Sequence, residues 1–521
     1  MIPVIDIFAG PGGLGEGFSS VLTQENKRGF ELRLSIEKDP VAHKTLELRT
    51  FCRQFPPANI PDAYYSYLRA EISRNDLFAN KKYQDELDAV SQHVWLAELG
   101  AESTPAEEVD NRIQRLLGKN KRTWVLIGGP PCQAYSIVGR SRMMGANPEK
   151  FQNDKRHFLY KEYLRILARH QPAVFVFENV KGILSSRTRG QRIFDTILND
   201  LRFPVKALSN TEMNVSGVDQ SCEYNIYSFV SGDGEESIPN DFAPKEFVVK
   251  SEKYGIPQTR HRVILVGVRS DIKQKPGQLI PEAHCSMWDV IKDMPPIRSS
   301  LSREPDSHRE WMKAIQSITG TMWYQNKSDK IKKIIDEKLK ALQSRLNCGA
   351  EFVPFSGCIN QLDGWYVDKK LLGVCNHTSR GHIRDDLKRY FYISCFGLAE
   401  GRSPRLADLP EDLLPKHNNV EEGVYHGKFS DRFRVQLKGE PAKTITSHIG
   451  KDGHYFIHPD PSQCRSLTVR EAARIQTFPD NYFFEGSRTQ QYIQVGNAVP
   501  PLLAKKIAEI VYKLFQSASK V

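Results

Sequence analysis

Paired cysteines are missing from this chain. Its nine cysteines, in 521 residues, are odd in number, scattered and free of any Cys-x-x-Cys spacing, which argues against a disulfide framework and for a reducing compartment. Also missing is any apolar run near the roughly 18 residues that a membrane crossing takes. No basic segment leads an apolar one at the start, where Val4-Ile5-Asp6-Ile7-Phe8 already reads as a strand. A cytoplasmic chain without a membrane partner is expected. Strong charge is lacking too: 73 Lys+Arg against 62 Asp+Glu leave +11, which is compatible with a polyanionic partner without requiring one. Residues 301–460 hold 25 basic and 21 acidic side chains, so the excess is not concentrated there. Metal ligands are sparse. Cys375, His377 and His382 lack a convincing second pair, and no metal is expected.

What is present begins with size. A 521-residue chain with 40% apolar content exceeds one growing core, so two domains, or one with large insertions, are expected. Residues 3 to 22 read as strand, glycine-rich turn and helix. Gly10-Pro11-Gly12-Gly13-Leu14-Gly15 is a literal G-x-G-x-x-G, and the next strand, LRLSIE, ends in Glu37, at the spacing of a ribose-holding acid. Bare backbone at a helix N-terminus and two carboxylate acceptors suit a nucleotide, NAD as readily as any other.

A second strand-like run, Trp124-Val125-Leu126-Ile127, leads into Gly128-Gly129-Pro130-Pro131-Cys132-Gln133-Ala134-Tyr135-Ser136. The glycines permit a tight bend and the prolines stiffen it, so Cys132 is presented at a sheet edge, where reactive residues of open α/β sheets sit. A polar segment with Arg140 follows. Ala173 to Phe177 is a continuous apolar run of the two-sided buried kind, and it delivers Glu178-Asn179-Val180 at its end. Further on, Gln258-Thr259-Arg260-His261-Arg262 precedes VILVGV, and alternation places Gln258, Arg260 and Arg262 on one face. Thr468 with Glu471 forms a capping box that opens a helix, and Gln494 to Pro501 leads into a last helix over Leu502 to Leu514. Helical patterns around Leu87, Val90 and Val94, and around Val109, Ile113 and Leu116, carry no chemistry.

These motifs, in this order, resemble those of the DNA cytosine-5 methyltransferases. Pro-Cys-Gln, Glu-Asn-Val and Gln-x-Arg-x-Arg are the specific trio, and matches span residues 3–49, 124–182, 254–268 and 465–513. The resemblance implies an α/β fold: a Rossmann-like sheet dependent on S-adenosylmethionine, with a second, smaller target-recognition domain. It divides the chain into a catalytic part at 1–274 with an insertion near 50–122, a recognition part at 275–464, and a return at 465–521. Ala134-Tyr135 departs from the Pro-Phe or Gly-Phe common after the family's Cys-Gln.

The implied roles follow residue by residue. Cys132 would attack the base, with Glu178, Arg260 and Arg262 stabilising the charge that results. Asp6, Phe8, Gly10, Gly12, Gly13, Leu14, Glu37, Pro130, Leu159, Asn497, Ala498 and Val499 would surround the methyl donor. Glu71, in LRAEIS, is taken as the acid that meets its adenine. Gln133, Ser136, Arg140, Gln258, Arg380 and Arg389 would contact double-stranded DNA, the last two because Asn376 to Tyr392 mixes amides, arginines and aromatics. A monomer on DNA is expected, with cognate restriction or defence proteins as possible associates. A tRNA cytosine-5 methyltransferase shares the trio, a catalytically silent DNA-binding relative is a further alternative, and the glycine loop alone would also serve an NAD oxidoreductase.

Overall fold

The structure, a computed structural model, describes residues 1–119, 122–131, 156–188, 191–209, 211, 213, 215–230, 240–326, 330–342, 345–356, 362–415, 420 and 432–518. Its centre is an eight-stranded sheet. Five strands are parallel: β1 (Ile2–Ile7), β2 (Phe30–Glu37), β3 (Val94–Leu96), β4 (Val125–Gly128) and β5 (Val174–Val180). Three more complete it, β6 (Tyr224–Ser228), β7 (Val248–Lys250) and β8 (His261–Arg269), and β8 runs antiparallel to β5, β6 and β7. The order is β3-β2-β1-β4-β5-β8-β6, with β7 also on β8.

The apolar runs explain the central strands. Val125 to Ile127 and Val174 to Phe177 have no exposed surface, because helices cover both faces of the sheet. On one face Ile5, Leu126, Phe175 and Leu265 meet two helices, Ala106–Leu117 and Arg156–His170. On the other, Val4, Val125, Val174 and Ile264 meet α1 (Gly13–Ser19) and the last helix, Pro501–Ala518. Parallel register aligns Ile7 with Gly128 and Gly128 with Phe177. The loops after β1, β4 and β5 therefore leave the sheet at one edge, where open α/β sheets bind ligands.

Two expectations from periodicity need adjusting. Val94 was grouped with Leu87 and Val90 on a helix, but that helix ends at His93 and Val94 opens β3, pairing with Ser35. Edge pairing suits a β-branched residue better than another helical turn. Gln258, Arg260 and Arg262 do not lie on one continuous strand: Gln258–Thr259 pairs with Ala442–Lys443, and β8 begins only at His261.

Beyond the sheet, residues 285–294, 366–374 and 442–498 share an apolar core, and a further core gathers Trp311, Ile335, Phe391 and Phe433. The capping box forms as expected at the helix Val469–Ile475, where Glu471 N donates to Thr468 Oγ1 (3.1 Å) and Thr468 N donates to Glu471 Oε2 (2.8 Å). Arg465 pairs with Glu471 (2.6 Å) and Arg474 with Asp480 (2.8 Å), all within this interior. Among the described residues, no helix is long and apolar enough to cross a membrane.

Candidate active site

A cavity of about 450 Å³ opens where β1, β4 and β5 end. Its floor is the first glycine loop. Phe8 (φ 58°) and Gly10 (φ 56°) take left-handed backbone, an uncommon state for a bulky residue such as Phe8, and Gly12 (φ 89°) caps α1. A β-carbon on Gly13 would stand 2.2 Å from the carbonyl oxygen of Val499, so only glycine lets α1 approach the 497–499 segment that closes the cavity.

Glu37 stands at the end of β2 with both carboxylate oxygens turned to backbone: Gly10 N donates to Oε2 (2.7 Å) and Asp39 N to Oε1 (2.8 Å). Burial pushes its pKa up and these N–H groups oppose the shift. Each oxygen retains acceptor capacity for a ligand hydroxyl. Ile36, Leu99 and Leu159 add apolar wall. Asp6 lies outside the cavity lining, and burial drives its carboxyl up to about 8 against the pull of Arg53, with Glu37 adding to the rise.

Glu71 does not reach this cavity. It is exposed and paired with Arg69 (2.6 Å), on a turn after the short helix Asp62–Leu68. The segment that follows β3 takes the place expected of it: Ala97, Glu98 and Leu99 line the wall, Ala97 N donates to the Glu37 carbonyl (3.0 Å), and Glu98 pairs with Lys38 (3.0 Å). The signal was the acid that directly follows VWLA, a short strand-like run obscured by the helical pattern before it.

The opposite wall carries the reactive groups. Cys132, Gln133, Ser136 and Arg140 lie outside the described residues, but Pro130 and Pro131, which lead to Cys132, line the cavity. Asn179 Nδ2 donates to the Pro130 carbonyl (3.3 Å) and ties this loop to β5. Beside it stands Glu178, so close that a β-carbon on Gly129 would lie 2.6 Å from its Oε2. Arg262 Nε lies 3.1 Å from Glu178 Oε1. Burial raises the Glu178 pKa, with Arg262 and then Arg260 opposing the rise. Arg260 donates to the carbonyls of Ile445 (2.7 Å) and Gly496 (3.2 Å), and burial, aided by Arg262, lowers its pKa well below the ordinary guanidinium range.

The structure thus brings Phe8, Gly10, Gly13, Leu14, Glu37, Pro130, Leu159, Glu178, Arg260, Arg262, Asn497, Ala498 and Val499 to one cavity. Gly12 shapes the loop from outside that lining. Three residues expected at DNA are engaged elsewhere. Gln258 is fully buried, bonding to Gln476 and accepting from Ile445 N (2.6 Å). Arg389 is 7% exposed and holds Asp386 (2.7 Å) and the carbonyl of Leu413 (2.8 Å). Arg380 donates to the Ile449 carbonyl (2.7 Å) and lies over the Tyr492 ring. Gln258 and Arg389 are spent inside the protein, whereas Arg380 is half-buried and its Nε has no hydrogen-bond partner among the described residues.

Bare backbone at a helix N-terminus, a carboxylate with spare acceptors and an apolar slot in a cavity of this size fit a methionine-linked nucleoside.

Comparison with known proteins places these observations. The model of the C-5 cytosine-specific DNA methylase family matches residues 85–203 and 240–513. Type II methyltransferase M.Bpa9945I of Bacillus paralicheniformis is 31% identical, over 98% of this chain and 98% of its own. DNA (cytosine-5-)-methyltransferase M.ApeKI of Aeropyrum pernix is 25% identical over 75% of this chain and 82% of its own. A crystal structure of a protein described as a DNA modification methyltransferase encoded within a prophage (E. coli) superposes with a TM-score of 0.51 at 18% identity, covering 99% of this chain and 100% of that one, a likeness of fold. The chain belongs to the C-5 cytosine-specific DNA methylase family, as a DNA (cytosine-5-)-methyltransferase whose methyl donor is S-adenosylmethionine.

Proposed function

We propose that this enzyme methylates carbon 5 of a cytosine swung out of duplex DNA, within a specific base sequence, through a covalent adduct with Cys132. The observation that carries the reading is the Glu178–Arg262 pair, 3.1 Å apart, opening into the cavity that the glycine loop floors and beside the prolines that lead to Cys132. Carbon 5 is a poor nucleophile, and its reaction needs electron density that no neutral neighbour supplies. The Cys132 thiolate adds to ring carbon 6, and the displaced electron pair moves towards ring nitrogen 3 and the carbonyl. Burial favours the protonated form of Glu178, which donates to the nitrogen, and the Arg262 cation faces the carbonyl oxygen. When bound, S-adenosylmethionine would supply an electrophilic sulfonium methyl group for the enamine-like carbon 5, with the S–CH3 bond breaking to leave S-adenosylhomocysteine. Loss of the carbon-5 proton to a base then expels Cys132 as thiolate, and return of the nitrogen-3 proton to Glu178 restores the ring.

A stacked base hides carbon 6 from any thiol, so extrusion into the cavity is required. Residues 275–464 are the part available to read neighbouring bases, since the cavity holds only one. The names of the type II relatives support a restriction-modification role. Cys132→Ser tests the reaction: methyl transfer should be lost, DNA and donor binding retained, and DNA carrying 5-fluorocytosine should trap the wild-type enzyme at Cys132. Turnover by the Ser variant, or a trapped peptide without residue 132, would refute the adduct.

A further inference from the structure

The chain between Phe55 and Tyr83 takes no part in the transfer and precedes the stretch that the family model matches. It folds into the short helices Asp62–Leu68 and Arg74–Phe78. Their apolar side chains, Tyr64, Tyr65, Leu68 and Leu77, form one cluster that also takes in Leu371 and Cys375. Three tyrosine hydroxyls on the first helix each donate to a group remote in sequence. Tyr65 reaches Asp368 Oδ2 (2.6 Å, 303 residues away), Tyr64 the Asn481 carbonyl (2.8 Å, 417 away) and Tyr67 Glu485 Oε1 (2.8 Å, 418 away). At the rim, Arg69 donates to the Lys370 carbonyl (3.3 Å) and Lys370 Nζ to the Ala58 carbonyl (3.4 Å). Asp368 accepts a second bond from Asn481 Nδ2 (2.6 Å), whose Oδ1 accepts from Arg49 (2.9 Å), and Arg49 pairs with Glu16 of α1.

We propose that residues 55–83 are a brace, which holds the 365–375 edge of the recognition interval at one fixed position against the catalytic sheet, with Tyr64, Tyr65 and Tyr67 as positioning residues. The proposal rests on the reading that 275–464 recognises the target sequence. The 366–374 segment already shares an apolar core with 442–498, and the contacts from residues 55–83 add a second interface on its other side. An apolar contact alone resists separation but tolerates sliding. Tyr65, with few rotatable bonds, fixes Asp368 on the recognition side in direction as well as distance, while Tyr64 and Tyr67 anchor the same helix to Asn481 and Glu485 of the 465–521 return. A recognition interval already in place spares DNA the cost of ordering it, and keeps the spacing between the bases that are read and the cytosine that reacts.

The test is the full-length enzyme with Tyr65→Phe and Tyr67→Phe, which keeps the rings and removes the hydroxyls. The expected result is a KM for duplex DNA raised about tenfold, methylation at cytosines outside the wild-type motif by bisulfite sequencing, and an unchanged dissociation constant for S-adenosylmethionine without DNA. Arg69→Ala with Lys370→Ala, which removes the two rim contacts to the Lys370 and Ala58 carbonyls, should move KM and specificity the same way by less, and it serves should the first variant fold poorly. Unchanged KM and motif in both variants would overturn the brace, as would a joint fall in melting temperature, kcat and donor affinity with the motif intact. Wild-type enzyme that methylates without any motif would instead remove the recognition reading on which the brace depends.

Discussion

Glu178 sits between two opposing influences, a buried site that favours its neutral form and two arginines that favour its charged form, and burial is the larger. The form that burial favours is the one that the proposed donation to a cytosine nitrogen uses. With the pKa raised, the stability this group contributes is full below the ordinary carboxylate range and is lost as pH rises through the raised value. Catalysis follows the same sign: donation by Glu178 fails as pH climbs through that value. In Glu178→Gln the side chain is a permanent neutral donor, so kcat should fall by about 100-fold while the alkaline decline belonging to Glu178 disappears. A pH profile of kcat that keeps its alkaline limb in the variant would assign that limb to another group. Such environments are only half legible in a sequence. The apolar run before Glu178 announced its burial, but nothing in Gln258 or Arg389 announced theirs, because a polar side chain looks the same whether it meets DNA or a backbone carbonyl. Glu71 and Glu98 differ in the same way: both are acids in an uncharacterised interval, and only the pairing of β3 with β2 brings one of them to the cavity.

Among the elements, α1 is held on two sides. Its first residue touches the Val499 carbonyl through the space a β-carbon would fill, and its Glu16 is buried against Arg49 and Arg53 (2.7 Å to the latter), which hold its carboxyl down at about 2. Gly13→Ala should therefore push α1 from the 497–499 segment, cost about 1–3 kcal/mol of stability and weaken donor binding, measured by calorimetry, more than DNA binding. Equal losses in both would indicate general unfolding. Four of the five parallel strands and the glycine loop were readable because periodicity and turn chemistry are local, whereas β3 was hidden by the helical pattern before it. The antiparallel β8 was readable only as a strand. Its direction, which brings the start of one strand beside the end of another and so sets Arg262 against Glu178, depends on residues far apart in the chain.

At the scale of the molecule, the C-terminal segment from residue 465 is joined to residues 290–297 and 375–376 through a polar interior. Arg465, Arg470 and Arg474 are at most 1% exposed, and their partners are carboxylates and carbonyls of the protein itself. These three arginines are therefore unavailable to DNA, and a phosphate backbone meets other, exposed cations. Ionic strength should separate the two populations of charge. Mobile ions reach exposed lysines and arginines and weaken their hold on phosphates steeply, whereas pairs sealed from solvent are little screened. Raising salt should strip the enzyme from DNA while leaving its melting temperature and its affinity for S-adenosylmethionine nearly constant, and a melting temperature that fell in step with DNA affinity would contradict this. Salt would then act as a reversible switch between a DNA-bound and a DNA-free enzyme of the same shape, and donor binding could be measured on either side of it without altering a residue.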